Sequence, residues 1–471
     1  MRSIGDIPCF LTWALLFSAR AGNGFSSEAQ FERANELYRG GRLEAAEAMY
    51  RLVLEQAPAY ADAACNLGSL MQDLSRPDEA IQSYQNAIAS KPDHADAHFN
   101  LGVMYQDGQR LDEAEQSYRR ALEIDTRHPE AVANLGSVLQ AQDKFMEAEE
   151  TYRSAVAIVS VAPTLEEEER RGMLGTLSYS LGTILDRLSV TSDICPTGES
   201  CRDLAIAAYR NALTNEPDHA LASHALASHL ADGSVTTSSR EYVTTLFDTY
   251  ADTFDMSLAG LEYSAPDALT RAIARVLENK GHLGGGGSSG DARPLRATLD
   301  AGCGTGLLGP LIRNATQTLI GVDLSEKMVA LAHEREIYDQ LIVGDIEEAL
   351  LSLRGNPIDL VAAADVFVYF GDMESTFEQV AEALPPGGLF AFTTERLGSS
   401  ETDGAVTPEG AGQNPGFFLQ TSGRFAHSQE YLETVAKGRG FTVEHYEHIV
   451  PRFELGKPIQ GQLFVFSSSS S

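Results

Sequence analysis

The chain has 471 residues, 43% apolar and 22% charged, a composition that excludes fibrous and wholly disordered polymers and a length that exceeds one hydrophobic core. Asp plus Glu number 67 against 35 Lys plus Arg, a formal net charge of −32 without a long basic run, so phosphate backbones are repelled and nucleic acid is excluded as a partner. The five cysteines, Cys9, Cys65, Cys195, Cys201 and Cys303, lack the paired CxxC spacing of structural zinc, and no metal site is expected.

In chain order, residues 1–25 come first. The apolar run from Ile7 to Phe17 follows a single Arg; it is too short to span a bilayer and suits a secretory signal or organelle presequence. If that presequence is real the chain enters the secretory pathway or an organelle, and otherwise it stays in the cytoplasm. No later stretch approaches transmembrane length, so the mature chain is not expected in a membrane.

NLG recurs at Asn66–Gly68, Asn100–Gly102 and Asn134–Gly136, a step of 34 from 66 to 100 and from 100 to 134. Tyr50, Tyr84, Tyr118 and Tyr152 keep that step, as do Ala46, Ala80, Ala114 and Ala148. This period with these residue types is the tetratricopeptide (TPR) signature, in which two-helix units bury their apolar faces only by stacking. The register breaks at Ser180–Gly182, 46 rather than 34 beyond Asn134. The 12 additional residues include the charge run Glu166–Arg171 and are expected to form loops. Pro-Asp-His-Ala then recurs at Pro217–Ala220, and the repeat domain is placed at 26–232. Asn66, Asn100 and Asn134 would line its inner surface, either as an amide ladder for an extended peptide or as ordinary repeat residues. Cys195 and Cys201 read equally as a loop disulfide and as two surface thiols.

Residues 233–283 read as a helical lid, with helices expected over Glu241–Thr253 and Pro266–Asn279. A Gly/Ser-rich linker or insertion occupies 284–294 and a serine tail 467–471. Between them, 295–466 alternates short apolar runs with helical patterns, which implies an α/β domain built on a mostly parallel sheet closed by an antiparallel hairpin.

The chemistry is concentrated at Leu299–Gly306, LDAGCGTG. The dinucleotide fingerprint GxGxxG would place its third glycine at 307, which is Leu307; here it is Gly306. Gly302, Gly304 and Gly306 would let a ligand pass close to the backbone, with Asp300 able to accept from an amino group. Asp323 in GVDLS would take paired ribose hydroxyls. Asp345 in VGDIE would accept from an exocyclic amine while Ile346 packs on the ring. Three acids at successive strand ends suit a ligand site on the carboxyl edge of an open sheet.

LDAGCGTG, GVDLS, GDIEE and AADVFVYFGD resemble the motifs of class I S-adenosylmethionine-dependent methyltransferases over roughly Asp248 to Phe466. FDTYADTFD, LEYSAP, DVFVYFGD and SGRFAHS resemble a predicted methyltransferase family that carries N-terminal tetratricopeptide repeats. The resemblance implies an all-α TPR superhelix followed by a Rossmann-like domain with a seven-stranded, mostly parallel sheet. It also implies S-adenosylmethionine as cofactor and methyl transfer as the reaction. Asp365, Tyr369 and His427 are then the candidate catalytic residues, and Glu395, Arg424, Tyr250 and Tyr263 the candidate substrate contacts. For Arg424 a salt bridge and for His427 a helix cap stand as alternatives. The leading expectation is an active methyltransferase whose repeats recruit a protein or peptide. A scaffold with a vestigial catalytic domain and a small-molecule methyltransferase tethered by its repeats are the others.

Overall fold

The structure is a computed structural model that describes residues 26–163, 165–190, 192, 194–230, 234–280, 294–397, 416–454 and 456–469. The presequence expectation and nearly all of the Gly/Ser linker lie outside the described residues. The chain divides into two compact units at Pro217/Asp218.

The first unit is a series of antiparallel helix pairs: Ser27–Arg39 with Leu43–Gln56, Ala61–Asp73 with Pro77–Ser90, Ala95–Asp107 with Leu111–Ile124, Pro129–Ala141 with Phe145–Ser160, and Glu167–Ser189 with Cys201–Asn215. The repeated glycine explains the spacing within a pair. A Cβ at Gly68, Gly102 or Gly136 would lie 2.5, 2.7 or 2.7 Å from the ring of Tyr84, Tyr118 or Tyr152. The ring therefore fills the place of the missing side chain and brings the helices close. The same pairing survives the register break, where a Cβ at Gly182 would lie 2.4 Å from Tyr209. Each buried hydroxyl finds an acceptor near the end of the first helix, as in Tyr118 to Gln106 at 2.8 Å and Tyr152 to Gln140 at 3.1 Å. Helices of a pair are joined through one left-handed residue per repeat: Gly41, Ser75, Gln109 and Asp143, with φ of 71, 56, 57 and 58°.

The expected loop expansion is found between the two helices of the last pair, across 190–200, whereas the charge run before it is helical. Glu167 to Arg171 are the first turn of a 23-residue helix, where carboxylates meet the positive end of the helix dipole. Cys195 and Cys201 form a disulfide.

In the second unit, helix Ala220–Leu230, expected to close the repeats, packs with its own unit: His224 Nε2 lies 2.8 Å from the Gly423 carbonyl and its ring stacks on Tyr242 at 3.8 Å. Helices Arg240–Tyr250, Phe254–Gly260 and Ala265–Asn279 follow. The strands are β1 (Leu295–Ala301), β2 (Thr316–Asp323), β3 (Gln340–Val343), β4 (Leu360–Ala363), β5 (Leu389–Arg396), β6 (Phe417–Leu419), β7 (Phe425–His427), β8 (Phe441–Ile449), β9 (Phe453–Glu454), β10 (Lys457–Pro458) and β11 (Gly461–Ser468). Seven of them form one path, β3-β2-β1-β4-β5-β11-β8, parallel from β3 to β5 and antiparallel at β11 and β8. The β6–β7 hairpin adds to the carboxyl end of β5 through Glu395↔Ala426 and Arg396↔His427. Period-two alternation divides the core. Val361, Phe390, Phe392, Phe464 and Phe466 pack on one face, while Leu360, Leu389, Ala391, Leu463 and Val465 meet helix Ala265–Asn279 on the other.

The serine tail is shorter than expected, because Ser467 and Ser468 are buried in β11 and paired with Thr442 and Phe441 of β8. Ladder pairing there outweighs the weak intrinsic preference of serine.

Candidate active site

The carboxyl ends of β1, β2 and β4, roofed by the helical segment before β1, enclose a cleft in the second unit. That roof is fastened by two carboxylates of FDTYADTFD. Asp248 accepts from Ser325 Oγ at 2.5 Å, and Asp255 accepts from Thr305 Oγ1 and Arg335, both at 2.5 Å.

The three glycines have different tasks. At Gly304, φ is +52° and among the described residues a Cβ would have only the Phe254 ring for company, 3.9 Å away, so this backbone is open to a ligand. At Gly302 a Cβ would strike Val366 at 2.5 Å, and at Gly306 it would meet Tyr338 and Arg335 at 3.0 and 3.1 Å. Gly306 does not border the cleft: the space expected there for a ligand is filled by protein.

Asp323 presents a half-buried carboxylate, pushed up by desolvation, whose oxygens accept from the backbone N–H groups of Gly304 and Ser325, each at 2.9 Å. Asp300 is pushed up to about 7, by burial first, while Tyr338 donates to it at 2.6 Å. Asp345 caps the helix Ile346–Ser352 through Glu347 N–H at 2.8 Å, and Ile346 borders the cleft. Cys303 is buried and its thiol is pushed well up by burial, which removes it as a nucleophile.

Asp365, Tyr369, Tyr263 and Arg424 all line the cleft. Asp365 is a non-glycine residue at φ +63°. It is held by its N–H donating to Thr393 Oγ1 at 2.8 Å and by Arg452 Nη1 donating to Oδ2 at 2.5 Å. Arg452 is 1% exposed. Its remaining nitrogens donate to Glu395, and to Glu454 at 2.7 Å. Arg424 also pairs with Glu454. Burial pushes both tyrosine hydroxyls up, so they stay protonated.

Four expectations change. His427 is fully buried outside the cleft, with Nδ1 2.8 Å from Thr394 Oγ1 and Nε2 3.0 Å from the Gly371 carbonyl; burial pushes it down to about 4. It is therefore a neutral structural side chain, and Ser428 rather than His427 caps the following helix. Glu395 is buried away from the cleft wall, held by Arg452 and by Gln420 at 2.6 Å. Tyr250 is 52% exposed and does not border the cleft. Among the repeat asparagines, Asn66 and Asn100 line a groove of the first unit but Asn134 does not. Their amides donate inward, to Asn35 Oδ1 at 2.9 Å, Cys65 Sγ at 3.8 Å and Tyr118 Oη at 3.3 Å. Arg452 carried no signal in the sequence: the run PRFELG matches no motif and joins the site only because the segment after β8 folds under the ends of β4 and β5.

The family model described as a methyltransferase domain matches residues 299–392, and one described as a tetratricopeptide repeat matches 65–129. The chain carries a class I methyltransferase domain behind tetratricopeptide repeats. The methyltransferase domain is similar to a malonyl-[acyl-carrier protein] O-methyltransferase of Serratia marcescens, 29% identical over 30% of this chain and 52% of that protein. It is also similar to a probable S-adenosylmethionine-dependent methyltransferase of Saccharomyces cerevisiae, 30% identical over 21% of this chain and 35% of that one. The chain thus spans about half or less of the relatives it matches. The solved structure of YrrB, a TPR protein with an unusual peptide-binding site, is 20% identical over 45% of this chain and 96% of that chain, with a TM-score of 0.36.

Proposed function

We propose that the methyltransferase domain transfers the methyl group of S-adenosylmethionine and that the repeats recruit the protein or peptide that receives it. The observation that carries the first half is the open backbone at Gly304 beside the half-buried carboxylate of Asp323. A cofactor needs that combination to approach the turn and offer its ribose hydroxyls. Asp300 lies at hand for the amino group, and Asp345 with Ile346 for the adenine. When bound, the cofactor supplies an electrophilic methyl on a sulfonium. The protein's share is to align the acceptor and to exclude water, which the apolar roof of Val243, Phe247, Phe254 and Leu258 accomplishes.

For the second half, the groove of the first unit offers Asp62, Asn66, Asp96, Phe99 and Asn100 from successive first helices, the kind of extended surface repeat proteins use for binding. Calorimetry tests the catalytic reading. The intact protein should bind S-adenosylmethionine in the micromolar range, and Asp323→Ala should abolish that binding. No heat from the unsubstituted protein would defeat the proposal.

A further inference from the structure

Asp365, Arg424 and Arg452 border the cleft, and behind that wall the charges continue: Asp365, Glu395 and Glu454 against Arg424 and Arg452. Burying so much charge is expensive, and replacing buried ion pairs with apolar residues is often neutral or stabilising. Stability alone therefore does not account for the cluster. What it achieves geometrically is the orientation of one residue.

Asp365 sits in the left-handed region, a conformation that L side chains rarely adopt and that collects at functional sites. Its Oδ2 is fixed by Arg452 and its backbone N–H by Thr393. Its Oδ1 is buried and has no hydrogen-bond partner among the described residues. The other acids at this sheet edge are engaged: Asp300 by Tyr338, Asp323 by two backbone N–H groups, Asp345 by a helix N-terminus, and Glu395 by Arg452 and Gln420. His427 is walled off.

Resting on the methyl-transfer reading, we infer that the acceptor is protic, an amine or hydroxyl, whose N–H or O–H is received by Asp365 Oδ1, and that Arg452 is the positioning residue that aims this oxygen. The lone pair of the acceptor nitrogen or oxygen forms the new bond to the methyl carbon as the carbon–sulfur bond breaks. The electron pair stays on sulfur, giving a neutral thioether, and the acceptor's proton passes to the Asp365 carboxylate and thence to water. A carboxylate acceptor has no proton to deliver and would meet Oδ1 as like charge.

The test incubates the full chain with a cell lysate and tritiated S-adenosylmethionine, then treats the product with mild base. Label on an amine or ether survives, whereas a methyl ester releases volatile methanol. Base-stable label is expected. Base-labile label, or none despite bound S-adenosylmethionine, overturns the inference and leaves the cofactor reading intact; only loss of S-adenosylmethionine binding in calorimetry removes both. Asp365→Asn suits the left-handed backbone but offers a donor where Oδ1 accepts. It should lower the rate about 100-fold, with S-adenosylmethionine binding unchanged. Arg452→Lys should lower kcat in the parent chain and change nothing further in the Asp365→Asn background. Independent losses in the double variant would mean that Arg452 is structural and defeat its assignment.

Discussion

The repeats and the methyltransferase domain spend their buried polar groups in opposite ways. In the repeats the tyrosine hydroxyl donates to a glutamine of its own helix pair and the same bond returns one period later, as Tyr118 to Gln106 and Tyr152 to Gln140, so no single pair is unique. In the catalytic domain the buried charges converge once, on Arg452, and serve one oxygen. Redundancy makes a surface that can be extended, whereas convergence makes a site that fails as a unit.

The strongest way to break this contrast is Arg452→Met. It would remove the guanidinium that holds Asp365 and the buried Glu395 and should cost about 3–5 kcal/mol, read in urea melts as an earlier transition of the methyltransferase domain alone. Equal loss in the repeats would contradict it.

A smaller and more discriminating comparison sets Gly68→Ala against Gly304→Ala. The first forces a methyl into the Tyr84 ring and should cost about 1–3 kcal/mol without touching cofactor affinity. The second meets no protein atom closer than 3.9 Å and should cost only the left-handed strain, about 1 kcal/mol, while weakening S-adenosylmethionine binding in calorimetry.

The two domains also differ in pH dependence, where they have opposite signs. His128 is opposed by burial, but Asp96 and Glu130 outweigh it and raise the imidazole to about 9. Its contribution is full below about 6.5, the unfolded value, and is lost as pH climbs through 9. His427 is pushed down to about 4 by burial. The neutral form it stabilises is fully present above about 6.5 and is undermined as pH falls toward 4. Thermal melts of His128→Gln and His427→Gln against the parent should therefore converge at opposite ends of the pH range.

The period of 34 and the glycine turn were legible in the sequence because each is a local pattern with a steric cause, as Gly68 against Tyr84 and Gly304 against an open cleft illustrate. The β1 to β5 strands and the antiparallel β8 and β11 follow from the same alternation. Local pattern misleads where position depends on folding at a distance. SGRFAHS held a histidine and an arginine at motif spacing, yet only Arg424 reaches the cleft, because β7 pairs with β5 and turns His427 into the core. Arg452 was invisible for the same reason. The charge run Glu166–Arg171 read as a loop since its helix is stabilised by packing of the residues beyond it.

One repeated detail reaches further. Gly41, Ser75, Gln109 and Asp143 hold the same backbone conformation at the same point of each repeat, so they are interchangeable joints. A chain cut at one and rejoined at another keeps its helical phase and changes only in length, which makes the extent of the groove a quantity counted in whole units.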